Sequence, residues 1–169
     1  MKMMKLVLNL FQINLVNADN SLESFDMSNV KILETPFWCS MTDEERASAV
    51  NNLTAEQKRV ALEDGTERPF DNLYWNSKQE GIYVDIVTGE PLFSSLDKFD
   101  SGTGWPSFYD QISPEAIITK NDNSLGINRT EILCAKCDAH LGHIFDDGPK
   151  PTGQRYCVNS LSIDYEEGE

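Results

Sequence analysis

A mainly β fold of antiparallel sheets, preceded by short helices, is predicted by three observations on this 169-residue chain. Runs rich in β-branched and aromatic residues recur through its second half. Turn residues separate those runs at intervals too short for crossover helices, which excludes parallel pairing. Two helix-start signatures stand ahead of all of them.

The helices come first. Thr42-Asp43-Glu44-Glu45 is a capping box, and Thr54-Ala55-Glu56-Gln57 repeats the form with Gln. They predict helices over about Asp43 to Asn51 and Ala55 to Leu62, with Gly65 ending helical structure. The strand signals that follow are Gly81 to Val87, Glu115 to Thr119, Thr130 to Cys134 and the alternating stretch Tyr156 to Asp164. Thr88-Gly89-Glu90-Pro91, Asn121-Asp122-Asn123-Ser124 and Asp146-Asp147-Gly148-Pro149 punctuate them.

The length suits one domain, able to bury roughly 68–70% of the surface it exposes unfolded. We expect that domain at residues 41–169 and an extension at residues 1–40. Met1 to Ala18 has the outline of a signal peptide, with Lys2 and Lys5 before an apolar run. Asn9, Gln12 and Asn14 interrupt that run, which is also too short to span a bilayer. A cytoplasmic chain is the favoured expectation, export the alternative, and no stable membrane association is expected. With 14 Lys and Arg against 28 Asp and Glu, the net charge is -14. Such a surface repels phosphate backbones, so no nucleic-acid partner is expected. Four cysteines are too few for a disulfide scaffold.

Three segments carry chemistry. Cys134-Ala-Lys-Cys137-Asp-Ala-His140-Leu-Gly-His143 holds two thiols and both histidines of the chain. Structural zinc draws its ligand pairs from two separated turns, and no second Cys-x-x-Cys exists to complete a site. A thioredoxin-like motif would open a helix in a parallel unit, whereas β-rich sequence surrounds this one. The remaining reading is a pair left reduced in the cytosol. In Arg155-Tyr156-Cys157-Val158-Asn159-Ser160, strand geometry would put Arg155, Cys157 and Asn159 on one face. A cation beside a thiol favours thiolate, the nucleophilic form, but free cysteine is also commonly a buried packing residue. The third segment, Asp100 to Phe108, is a glycine-bearing loop delivering Trp105 and has no phosphate-loop lysine.

Taken together the segments resemble the methionine-R-sulfoxide reductases, the B-type family. The likeness runs from about Leu53 to Leu161 through Glu63 to Phe70, Gly89 to Phe93, Gly104-Trp105-Pro106-Ser107-Phe108, His140-Leu141-Gly142-His143-Ile144-Phe145 and Arg155 to Ser160. The resemblance implies two antiparallel sheets packed as a β-sandwich-like tent. It also implies reduction of the R epimer of methionine sulfoxide, free or in proteins. Cys157 would attack sulfur. His140, His143 and Asn159 would surround the sulfoxide oxygen or its water. Trp105 would hold the S-methyl group, Phe145 and Arg155 would share in substrate binding, and Arg155 would also favour the thiolate. The resulting sulfenic acid would be reduced by thioredoxin or another thiol.

Two departures from the family pattern matter. Asp85 and Thr88 occupy the places of the first Cys-x-x-Cys found in zinc-bearing relatives. Threonine is not a usual zinc ligand, so neither structural zinc nor another cofactor is expected. Thr103 stands where the usual resolving cysteine would be. Cys39, at the edge of the extension, is then the one candidate internal resolver.

Overall fold

The computed structural model describes residues 42–167. Expectations for the extension, Cys39 included, lie outside the described residues. Helix α1 spans Asp43–Asn52 and α2 spans Ala55–Ala61, each with both halves of its capping box formed. The boxes satisfy backbone N–H groups that a short helix cannot satisfy internally. Helix α1 buries no residue, so its ends do more to define it than its faces; α2 buries Val60 and Ala61.

Among the described residues nine strands follow: β1 Gly81–Asp85, β2 Pro91–Ser94, β3 Lys98–Phe99, β4 Ser107–Phe108, β5 Ile117–Asp122, β6 Arg129–Cys134, β7 His140–Phe145, β8 Arg155–Val158 and β9 Ile163–Glu167. They form a three-stranded sheet in the order β2-β1-β9 and a six-stranded sheet in the order β3-β4-β8-β7-β6-β5. Every pairing is antiparallel. The predicted fold class therefore holds.

Three boundaries differ from the sequence reading. The first strand stops at Asp85, whose carboxylate accepts from the Val87 and Thr88 N–H groups and turns the chain. Asn121 and Asp122 extend β5 instead of starting a turn. The alternating stretch Tyr156 to Asp164 is two strands in different sheets, joined by a 3-10 turn at Ser160–Ser162. Alternation survives a corner when both arms are half-buried, so period alone does not reveal it.

Aromatic side chains fill the space between the sheets. Phe93 of β2 stacks on Phe108 of β4 with centroids 4.4 Å apart, and Tyr83 of β1 meets the same Phe108 edge-on at 5.1 Å. All three are fully buried. Burial of each such ring is worth about 1.5–3 kcal/mol, and their contacts fix one sheet against the other. Among the described residues no helix is long and apolar enough to cross a membrane.

Candidate active site

The six-stranded sheet sets Cys157 between two neighbours by register. On one side Ser107 of β4 lies opposite Cys157, and on the other His143 of β7 does. Gly142 makes that second approach possible. Its φ is 151°, and a Cβ there would stand 2.0 Å from the Cys157 carbonyl oxygen. Any larger residue would push β7 away from β8.

His143 is partly buried, and its Nε2 donates to Asp122 Oδ2 at 2.8 Å. Asp122 also accepts from Arg129 Nη2 at 2.7 Å. Hydrogen bonds from Ser124 and then His143 hold the Asp122 carboxyl well below the usual carboxylate range. An ionised Asp122 can only accept, which assigns the Nε2 proton and leaves His143 Nδ1 with a lone pair in the neutral ring. Burial pushes His143 below the ordinary imidazole value, and its bond to Asp122 opposes that.

His140 is buried, with Nδ1 donating to Glu131 at 2.6 Å and its ring centroid 5.7 Å from that of His143. Its Nε2 is buried without a partner. A buried ring nitrogen without a partner is costly and marks a place where an oxygen of substrate or water would bind. Asp64 brings its carboxylate to the same His140–Glu131 pair, the candidate ligand atoms lying within 4.8 Å of one another.

Arg155 is clamped. Its Nε and Nη2 donate to the two oxygens of Asp147 at 2.8 and 2.9 Å, and its guanidinium lies 4.3 Å from the Phe145 ring centroid. Phe145 thus supports the arginine directly. Burial pushes the Cys157 thiol up, and Arg155 pulls it down by less. The arginine favours thiolate, as expected, but burial outweighs it, and the net direction is toward the thiol.

Asn159 lies past the end of β8, off the strand on which the sequence reading placed it. Its Oδ1 accepts from the Glu67 N–H at 3.2 Å and its Nδ2 donates to the Leu141 carbonyl at 3.3 Å. One amide hydrogen remains to offer. Trp105 is half-buried and donates Nε1–H to the Glu67 carbonyl at 3.2 Å. The Glu67 carboxylate in turn accepts from the Ser160 and Leu161 N–H groups. One residue thereby ties Trp105, Asn159 and the corner after β8 together. Glu67, Asp122, Glu131 and Asp147 were not singled out from sequence. Only the acidic residue at the corner of a long-range contact distinguishes them, and a linear pattern carries no such signal.

A second cluster lies at the end of β1. Candidate ligand atoms of Asp85, Cys134 and Cys137 lie within 4.8 Å of one another. Asp85 Oδ2 accepts from the Val87 and Thr88 N–H groups, the Thr88 hydroxyl at 2.7 Å and Cys137 Sγ at 3.3 Å. Burial pushes the Asp85 carboxyl up, and its Oδ1 is buried with no partner. The set does not fit a closed structural zinc site. Two sulfurs and one oxygen are present, and the fourth place holds a hydroxyl already donated to Asp85.

The arrangement sets one cysteine opposite a carboxylate-held histidine on an antiparallel sheet. Comparison with known proteins identifies the family. The SelR domain family matches residues 53–167. A peptide methionine sulfoxide reductase MsrB from Synechococcus sp. (strain RCC307) is 58% identical over 117 residues, 69% of this chain and 86% of that protein. The MsrB protein of Methanosarcina barkeri is 53% identical over 118 residues, 69% of this chain and 82% of its own length. A peptide methionine sulfoxide reductase MsrA/MsrB from Vibrio cholerae is 61% identical over 111 residues, 66% of this chain and 29% of that longer protein. The chain belongs to the SelR-domain family of MsrB peptide methionine sulfoxide reductases.

Proposed function

We propose that this chain reduces the R epimer of methionine sulfoxide, free or in proteins, with Cys157 as the nucleophile. One observation carries the reading: a cysteine faces, across one strand pair, a histidine whose other nitrogen is held by a carboxylate. In a resting thiol the proton must leave before or during attack. His143 Nδ1 would take it, and burial, which lowers the ring's pKa, supports that role.

The Cys157 sulfur then attacks the sulfoxide sulfur, forming an S–S bond, while the sulfoxide oxygen takes the thiol proton and leaves as hydroxide. Hydroxide then attacks the Cys157 sulfur, breaking that S–S bond and releasing methionine, so that the net change is thiol plus sulfoxide to sulfenic acid plus sulfide. Asp122 stabilises the imidazolium formed on the way. The free amide hydrogen of Asn159 would donate to the oxygen, His140 Nε2 would accept from the water or hydroxyl formed from it, and the Trp105 ring would hold the S-methyl group. A thiol R–SH condenses with the sulfenic acid, releasing water, and a second thiol reduces the mixed disulfide. Thioredoxin or a small thiol fills that role, and a cytoplasmic setting would supply either. The Asp85 cluster takes no part in these steps, and we propose that the domain folds without metal.

The test is turnover of separated R and S epimers with a dithiol reductant. R sulfoxide should be consumed and S sulfoxide spared. Cys157→Ser should lose activity to background while keeping its sheet content. Retained activity in that variant would sink the mechanism.

A further inference from the structure

The Asp85–Cys134–Cys137 cluster, which does not fit zinc and which the steps above leave aside, has the geometry of a dithiol able to close on itself. Cys134 ends β6, and two backbone bonds shut the turn that follows: Asp138 N–H to the Cys134 carbonyl and Cys134 N–H to the Ala139 carbonyl, both 2.9 Å. Asp138 takes a φ of 59° to make the bend. Residues three apart in such a turn have Cα atoms within about 7 Å, the span a disulfide needs. The two sulfurs lie within 4.8 Å of one another, a gap that side-chain rotation can close.

The two thiols are not equivalent. Cys134 is fully buried, with its sulfur 3.9 Å from the Thr88 hydroxyl, whereas Cys137 is half-buried and donates its S–H to Asp85 Oδ2 at 3.3 Å. An oxidant arriving from solvent therefore meets Cys137 first. Asp85 is the group placed to take the proton of that thiol. It is 1% exposed, and its second oxygen, Oδ1, has no partner. A carboxylate so enclosed is better off neutral than charged, so a proton gained there relieves a cost.

We propose that Cys134 and Cys137 close to a reversible disulfide under a peroxide, Cys137 reacting first and Asp85 accepting its proton. The Cys137 thiolate attacks one peroxide oxygen and the O–O bond breaks; the departing hydroxide takes the proton from Asp85 and leaves as water. Cys134 then attacks the sulfur of the Cys137 sulfenic acid. An S–S bond forms, the S–O bond breaks, and the hydroxide released takes the Cys134 proton. Two thiols and one peroxide thus give one disulfide and two waters, and an external dithiol reverses the change. Closure also breaks the Cys137–Asp85 bond, which ties the turn before β7 to the end of β1 in the other sheet.

The test uses the full chain carrying Cys39→Ser and Cys157→Ser, which leaves these two thiols alone, with a chelator present. Hydrogen peroxide should remove two hydrogens from the intact mass and join Cys134 to Cys137 within one chain, and dithiothreitol should restore both thiols. Unreacted thiols, oxygens accumulating on Cys137, or a disulfide between two copies overturns the proposal. On the same background Cys137→Ser should leave Cys134 unoxidised, and Asp85→Asn should slow closure about a hundredfold. Ready oxidation of Cys134 in the first variant overturns the order of attack, and an unchanged rate in folded Asp85→Asn overturns the role of Asp85. If Asp85→Asn does not fold, the mass of the parent chain and the Cys137→Ser variant still decide. With Cys157 replaced, the outcome is independent of the proposed reductase activity.

Discussion

His143 and Cys157 stand directly opposite each other on adjacent antiparallel strands, at the one point where Gly142 lets those strands close. A histidine and a cysteine are thereby fixed by backbone register instead of by flexible loops. Asp122, on the far side of the imidazole, holds its other nitrogen, and in the proposed mechanism it supports His143 as the base.

Asp122→Asn should therefore change both rate and pH profile. In the wild type burial lowers the His143 pKa and Asp122 partly restores it. Without the carboxylate the folded-state pKa falls further, so the acid limb of kcat/KM, which reports protonation of the base, should move to lower pH. The imidazolium that must donate to oxygen loses its partner, so kcat at neutral pH should drop about tenfold to hundredfold. An acid limb left in place would show that His143 is not the titrating base.

Trp105→Ala and His143→Ala should separate in kinetics with free R sulfoxide. Loss of a packing wall weakens ground and transition states alike and raises KM; loss of the proton carrier lowers kcat. Equal effects of both changes on KM alone would contradict the assigned roles.

Glu67→Gln should destabilise the domain by about 2–3 kcal/mol. The amide retains one carbonyl oxygen and points N–H groups at the backbone N–H of Ser160 or Leu161, where the carboxylate accepted from both. The denaturation midpoint should fall with an unchanged slope. Glu67 meets Trp105 and Asn159 through its backbone carbonyl and N–H, which the substitution keeps, so KM should stay near the wild-type value in molecules that remain folded. An unchanged midpoint would show that the corner is held by other means.

Purified protein should carry less than stoichiometric zinc, and a chelator should leave its thermal midpoint unchanged. Asp85 and Thr88 already close their cluster by hydrogen bonds, and the aromatic interior between the sheets needs no metal to hold it. Stoichiometric zinc whose removal unfolds the chain would refute this.

After one turnover without reductant, the intact mass should show one added oxygen, located on Cys157. Thr103 cannot condense with a sulfenic acid, and a disulfide requires Cα atoms within about 7 Å. A loss of two hydrogens that vanishes in Cys39→Ser would instead establish internal resolution by the extension.

Local features of this protein were settled by its sequence. Both helix starts were legible because a capping box is a contact between residues three apart. Strand runs and turns were legible for the same reason, and the Cys157 and His-x-x-His segments, which the sequence singled out, are brought together across β7 and β8. Tertiary structure decided what depends on distant partners. The stretch from Tyr156 to Asp164 became two strands because Glu67, more than ninety residues away, accepts from the corner between them. Asp122 and Glu131 became histidine partners only when β5, β6 and β7 aligned in register. Arg155 pulls the Cys157 pKa down by less than burial pushes it up. A charge two residues away can be read along a chain; the low-dielectric surroundings that outweigh it exist only once the sheets have packed.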